Sequence, residues 1–458
     1  MSRETVDVVV IGAGAAGMAG ASAMADLGLQ VVLLDEQGSP GGQIYRGITL
    51  APLSRRDLLG PDYAHGNQLA QALAASSVRY EKAAAVWQVT RDHQVSYLRE
   101  GRLHTLQAKA VLLATGAMER PFPITGWTLP GVMSAGAAQI LLKSSGLAPS
   151  EPVVLAGCGP LLYLLGWQYL RAGVQIKALV DTTRPEDYWR ARRHLFAALR
   201  AWPYLRKGIE LMRSLRSAGI AHHTGAEHLK VEGQEAAQAL TFSVSGKAQR
   251  IATRCVLLHQ GVVPNIQFSQ SLRARHEWDL DQLCFRPLTN PWGELDVPGV
   301  YVAGDGAGIG GAQAAEVQGR LAALGIAMQL EKIDASTRDR KASPLRAQLE
   351  ANLRIRPFLD ALYQPKEANR IPADEVMVCR CEEVTAGELR GFVALGCAGP
   401  NQAKSFGRCG MGPCQGRMCG LTVTEVIAKA RGVSASEVGY YRIRPPIKPI
   451  TLGELAGD

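Results

Sequence analysis

The chain has 458 residues, 47% apolar and 20% charged, with a net charge of +9, which excludes domain-scale disorder and a single core and suggests about three folded units. Its 49 glycines exceed ordinary usage. The basicity is local, nine basic against three acidic residues between Arg184 and Arg216, and no motif of a nucleic-acid binder accompanies it.

No basic run precedes an apolar core in Met1–Asp7, so no export leader is expected and the nine cysteines are placed in a reducing, cytoplasmic compartment. Asp7–Ile11 then reads as a buried strand, Gly12–Gly17 as its turn, Met18–Leu27 as a small-residue helix and Gln30–Leu34 as a second strand. In Gly12-x-Gly14-x-x-Gly17 one glycine serves the tight turn, one the close approach of a pyrophosphate and one helix–strand packing. The helix N-terminus offers free N–H groups to phosphate. Asp35, with Glu36 as fallback, ends the second strand where a carboxylate accepts ribose hydroxyls.

Further along, Val111–Ala114 reads as a strand running into Thr115-Gly116. The apolar run Val153–Leu170 approaches membrane-span length, but Gly157, Gly159 and Pro160 divide it into a strand and a helix. Ile176–Val180 completes this second βαβ unit. Its loop repeats two glycines and puts Leu162 in the third place; Asp181 follows as a ribose acceptor that favours NAD over NADP, although Arg184 stands nearby. Nicotinamide binding at this loop, and a vestigial domain kept for architecture or holding another adenine nucleotide, are equally open readings. Tyr188–Arg216 interleaves aromatics with arginines and reads as a solvated face with a buried stripe. His222 and His223, as neighbours, point apart and do not read as a metal site.

Val300–Ala303 is a strand ending in Gly304-Asp305, followed by the helix Ala314–Ala327. The expected architecture is α/β: residues 1–120 and 290–330 form one dinucleotide-binding domain, with a second (121–289) inserted in it. A charged linker and connecting helix occupy 331–373, a cysteine domain 374–421, and a tail with Pro445, Pro446 and Pro449 residues 422–458.

Six of the nine cysteines fall between Cys379 and Cys419. Two close pairs on separate loops supply the four converging thiolates of a 2Fe-2S centre; zinc also suits four thiolates. Cys379 and Cys381 make the first pair, and either Cys414 with Cys419 or Cys409 with Cys414 the second.

Pro40-Gly41-Gly42-Gln43, Thr115-Gly116 and Gly304-Asp305, with the first glycine loop, resemble the two-dinucleotide-domain flavoproteins, which implies FAD running from Gly12, Gly14 and Gly17 to Asp305. Gln43 and Ile44 stand where dithiol reductases of that class carry redox cysteines, and Cys158, Cys255 and Cys284 are scattered, so thiol–disulfide chemistry is not expected. The text from Val378 to Thr385 and from Gly412 to Gly420 resembles the bacterioferritin-associated-ferredoxin-like 2Fe-2S domain, whose ligands match Cys379, Cys381, Cys414 and Cys419. The second pair is spaced more widely here than is usual, and Cys397 and Cys409 are extra; they read as buried small hydrophobes.

Over essentially its whole length, through Asp35–Arg46, Ala114–Pro121, Gly126–Met133 and the cysteine text, the chain resembles the cluster-containing flavoprotein subunits of multi-subunit amino-acid and amine dehydrogenases, such as those of hydroxyproline dehydrogenase, opine oxidase and hydrogen cyanide synthase. That resemblance implies electron transfer by FAD and a 2Fe-2S cluster, with FMN shared with a partner as an option. Hydride abstraction would fall to a separate FAD-dependent, amino-acid-oxidase-like subunit, with the option of a further, small one. Electrons would leave to a respiratory acceptor, the complex resting in the cytoplasm or peripherally on the inner face of the membrane without a transmembrane span. Two other classes are a self-sufficient NAD(P)H oxidoreductase and a non-catalytic scaffold. No catalytic base is evident in the sequence.

Overall fold

The computed structural model describes residues 4–456; residues 1–3, where the reading for a leader begins, and 457–458 of the tail lie outside them. The first sheet is built on β1 (Glu4–Ile11), β2 (Val31–Leu34), β3 (Arg79–Glu81), β4 (Ala85–Val89), β5 (Gln94–Arg99) and β6 (Arg102–Leu113), in the order β3-β2-β1-β6-β5-β4. The strand Val300–Val302 adds to β6 in parallel. Val8, Val9, Val10 and Val31–Leu34 are all buried. Such unbroken apolar runs are what parallel strands covered on both faces require.

Helix α1 (Ala15–Asp26) starts inside the glycine loop, earlier than the expected Met18, because the last residues of such a loop already form the first helical turn. It crosses the helix Ala312–Gln329 at very short range: a Cβ on Gly319 would lie 2.2 Å from the Ala16 carbonyl oxygen. Small residues on both helices make this crossing possible.

A second, all-parallel sheet holds Ala221–Thr224, Ile176–Asp181, Val153–Cys158, Cys255–Gln260 and Val132–Ser134 in that order. The long apolar run is thus the strand Val153–Cys158 and the helix Pro160–Arg171. Among the described residues no helix is long and apolar enough to cross a membrane. A three-stranded antiparallel sheet spanning Ala226–Gly233, Ala237–Val244 and Lys247–Ala252 was not anticipated. It closes over Val154, Ala156 and Val256.

Of the charged linker and connecting helix expected after residue 330, the helix is Ala335–Leu353, and it begins already within the charged segment. Asp334 caps it, its carboxylate accepting the Thr337 N–H at 2.6 Å, and a side-chain cap of this kind stabilises a helix start by about 1 kcal/mol. The cysteine region folds as a short hairpin, Met377–Cys379 with Val384–Thr385, and the helices Ala386–Ala394, Pro400–Gly407 and Gly420–Arg431. Residue 421 falls in the first turn of the last of these helices. Tyr441, Ile443 and Ile447 of the tail are buried in one core with Val378, Leu389 and Val423, so this packing unit continues through the tail.

Candidate functional site: two glycine loops and a thiol cluster

At the first loop each glycine has a separate geometric reason. Gly12 has φ +103°, and a Cβ there would sit 2.5 Å from the Ala114 carbonyl oxygen; a Cβ on Gly17 would lie 1.8 Å from the Gly12 carbonyl oxygen. Gly14 differs. Its φ is −78°, and its Cβ would meet only the Gly42 Cα, at 3.9 Å. Gly14 therefore borders space, as approach of a pyrophosphate demands, and α1 begins without a side-chain cap.

The other motif residues converge on this loop. The Gly41 N–H donates to the Ala13 carbonyl at 2.8 Å, and a Cβ on Gly42 would lie 2.8 Å from the Gly14 Cα. Gly304 abuts Ala16, and Gly306 lies beside Gly116 and the Thr115 hydroxyl, which itself donates to the Asn265 carbonyl at 3.1 Å. Asp305 accepts the Gly310 and Gly311 N–H groups, both at 2.9 Å. Asp35 is buried and accepts the N–H groups of Ala13 at 2.6 Å and Gln37 at 2.7 Å. Burial pushes its carboxyl up, against those donors. Glu36 pairs with Lys448 of the tail. Gln43 is exposed, and its carbonyl accepts from Lys143.

Lys143 has no counterpart in the expectations drawn from sequence. Its Nζ donates to the Gln43 carbonyl at 3.2 Å and to Gln139 Oε1 at 2.7 Å, and burial pushes its pKa down to about 7. In sequence it is an ordinary basic residue in the last turn of the helix Ala135–Ser145, so no signal marked it.

The second loop is differently furnished. Gly157 has φ +130° and Gly159 φ +112°; a Cβ on Gly159 would lie 3.2 Å from His259 Nε2. His259 Nδ1 bonds Glu119 Oε1 at 2.7 Å, and Glu119 Oε2 accepts the Gly136 N–H at 2.7 Å. Asp181, expected to face a ribose, instead turns inward with 0% exposure. The Tyr163 hydroxyl and the Thr183 N–H occupy its oxygens. The Cys158 thiol donates to the Tyr363 carbonyl at 3.4 Å, Lys366 pairs with Asp187, and Gln260 donates to the Asn369 carbonyl at 3.0 Å. Residues 361–369 therefore lie across this loop. His222 faces Asp181 and the Tyr163 ring, whereas His223 packs on Phe242.

In the C-terminal unit the thiols of Cys379, Cys409 and Cys419 lie within 4.8 Å of one another and are buried. Cys414 bonds both Cys419 and Cys381, so five cysteines form one connected group. Hydrogen bonds from Cys409 and Cys419 draw Cys379 down to about 2. Cys414 falls to about 5, chiefly through Cys419; Cys409, donating to Cys379, is pushed up to about 12. Cys379 and Cys414 are thus the two thiols drawn toward the thiolate that metal ligation needs. Gly412 lets its loop reach Cys381, because a Cβ there would lie 2.2 Å from the Cys381 Cβ. Cys409, extra to the four ligands of the resemblance but a member of one of the two second pairs that the spacing allows, belongs to the group; its carbonyl accepts the Tyr441 hydroxyl at 2.9 Å. Cys397 stands outside, donating to the Gly399 carbonyl. Cys158, Cys255 and Cys284 are buried free thiols.

Residues 6–319 match the family model described as pyridine nucleotide-disulphide oxidoreductase, and residues 374–458 match the sarcosine oxidase A3 domain. The opine oxidase A-type subunit of Rhizobium meliloti is 45% identical over 99% of this chain and 88% of its own length. The HcnB subunit of hydrogen cyanide synthase from Pseudomonas protegens is 30% identical over 97% of this chain and 96% of its own. Among solved structures, L-proline dehydrogenase from P. horikoshii superposes with a TM-score of 0.71 over 99% of this chain and 80% of that one, at 20% identity, a likeness of fold. With its first glycine loop shaped for a dinucleotide, the chain belongs to the FAD-dependent pyridine nucleotide-disulphide oxidoreductase family, grouped there with the A-type subunits of opine oxidases.

Proposed function

We propose that this chain is the electron-transferring subunit of a heteromeric dehydrogenase acting on an amino acid or a related secondary amine. FAD would lie along Gly12, Gly14, Gly17, Asp35, Glu36, Gly42, Gln43, Thr115, Gly116, Gly304 and Asp305. A 2Fe-2S cluster would be held by Cys379, Cys381, Cys414 and Cys419, and the unit 121–289 is read as nested in the first domain. When bound, the flavin would supply two-electron acceptance and the cluster one-electron transfer. The opine oxidase and hydrogen cyanide synthase relatives are named as subunits, which supports a partner, in this reading an FAD-containing oxidase-like protein that removes hydride from substrate.

The observation that carries this reading is a shared core. Cys379, Cys409 and Cys419 are packed in the same hydrophobic cluster as Val9 and Ile11 of β1 and Val111 of β6. The thiol nest is thus joined through buried apolar side chains to the strands that end at the first glycine loop. The chain's own work is to orient the nucleotide on α1 and Gly14 and to keep water from the buried thiols.

Gly14 leaves space where a phosphate would stand; of the four proposed cluster ligands, Cys379 and Cys419 lie in the close trio with Cys409, and Cys414 and Cys381 adjoin it. Protein purified anaerobically with its iron should carry about two irons and two acid-labile sulfides per chain together with flavin. Zinc without labile sulfide would reject the cluster, and colourless protein would favour a scaffold. The self-sufficient NAD(P)H reading is disfavoured by the second loop, where Asp181 is enclosed and residues 361–369 lie over Cys158.

A further inference from the structure

The segment from Tyr188 to Tyr204 inverts the usual sidedness of a surface helix. Its alanines, Ala191, Ala198 and Ala201, are the buried residues, seated against Ile355, Phe358 and Leu362. Its large apolar side chains face out: Phe196 is 76% exposed, Trp189 65% and Trp202 51%, with Tyr188, Leu195 and Leu199 also exposed. The segment consists of two short helices, Pro185–Ala191 and Leu195–Leu199, joined by the 3-10 turn Arg192–His194, and the start of a longer one, Trp202–Ser217; the first and last carry a proline in the first turn. They turn against one another, which presents these six side chains on the outer side. Clustered exposure on this scale marks an interaction surface.

Charge identifies the partner. Between Tyr188 and Lys207 stand Arg190, Arg192, Arg193, Arg200, Arg206 and Lys207, with no acidic residue. Arg190 is turned inward to Asp187 and the Ala361 carbonyl, Arg206 pairs with Glu210 and Lys207 with Asp62. Arg192, Arg193 and Arg200 are exposed, and Arg192 stacks over the Trp189 ring at 4.3 Å. A second copy would bring the same positive face, and among the described residues no carboxylate pairs with Arg192, Arg193 or Arg200, so the face calls for an anionic surface. Indole and phenyl rings set among arginines suit the headgroup boundary of an anionic bilayer, where rings enter the interface and guanidinium groups meet lipid phosphates.

We propose that Trp189, Phe196 and Trp202, with Arg192, Arg193 and Arg200, form a peripheral docking surface for an anionic membrane. This holds independently of which substrate the complex oxidises. A subunit that hands electrons to a respiratory acceptor would thereby be held where that acceptor resides.

Flotation of the full chain with vesicles of phosphatidylcholine alone, and of phosphatidylcholine mixed with phosphatidylglycerol, tests the surface. Wild type should float with the anionic vesicles only and blue-shift its tryptophan emission, and raised salt should release it. Replacing Arg192, Arg193 and Arg200 by serine should weaken partition by roughly a hundredfold, and W189S/F196S/W202S should abolish the blue shift, with flavin content unchanged in both. No flotation with anionic vesicles at low salt would overturn the proposal, as would binding that both variants retain. Protection of Trp189 by the dehydrogenase partner without any vesicle binding would assign the face to a protein contact instead, and equally overturn it.

Discussion

The Cys158 thiol donates a hydrogen bond to the Tyr363 carbonyl oxygen at 3.4 Å, bringing a segment more than two hundred residues away onto the second glycine loop. A nicotinamide dinucleotide entering there would have to displace this segment, including the Lys366–Asp187 ion pair. The purified chain should therefore fail to bleach its flavin when mixed anaerobically with NADH or NADPH. Rapid bleaching by either would reopen the self-sufficient reading.

Gly14 and Gly17 should respond differently to the same addition. A Cβ fits the protein at Gly14 but would lie 1.8 Å from a backbone oxygen at Gly17. Gly14→Val should leave the melting temperature near wild type and weaken adenine-nucleotide binding by about tenfold or more, about 1.4 kcal/mol. Gly17→Ala should prevent accumulation of folded protein. Full nucleotide occupancy in Gly14→Val would show that the ligand is not held at this loop.

Cluster content separates the cysteines. Cys414→Ser should lose iron and labile sulfide, whereas Cys397→Ser, altering a thiol bonded only to the Gly399 carbonyl, should keep both. Cys409→Ala should retain the cluster, because Cys409 is then a neighbour of Cys379 and Cys419 and not one of the four ligands. Loss of iron from Cys409→Ala would make it a ligand.

Lys143 gives a pH signature. Its folded pKa of about 7 lies below the ordinary lysine value, so between about pH 7 and 10.4 the unfolded chain binds the extra proton and stability contributed by this site rises with pH. Below pH 7 both states are protonated and the burial penalty is fully present. Urea unfolding of Lys143→Met should lack this rise, a slope of up to about 1.4 kcal/mol per pH unit in wild type. Parallel pH profiles for the two proteins would contradict the assignment.

The glycine loops were legible because a tight turn leaves few residue choices: Gly12 and Gly157 both carry φ values that disfavour any side chain. What spacing does not encode is the direction a side chain takes. Asp181 stands at the expected strand end yet bonds Tyr163 and Thr183, partners that only tertiary packing brings to it. Spacing leaves Cys409 and Cys419 as alternatives for the second pair, because the closeness of both to Cys379 is made by turns far apart in the chain. The arginine–aromatic segment reads as a solvated face with a buried stripe; Leu211 and Leu215 form that stripe in the helix Trp202–Ser217, but Trp189, Phe196 and Trp202 face out. Between Pro185 and Trp202 short helices break the single periodicity on which the reading rests.

The central claim is a division of labour, and dye-linked oxidation of a panel of amino acids and secondary amines tests it most directly. The isolated chain should reduce no dye. Assembly with its FAD-containing partner should restore turnover, and Cys379→Ser in that complex should slow dye reduction while substrate still reduces the partner's flavin at the wild-type rate. Turnover of any of these substrates by the isolated chain would contradict the account, since the reaction would then need no partner.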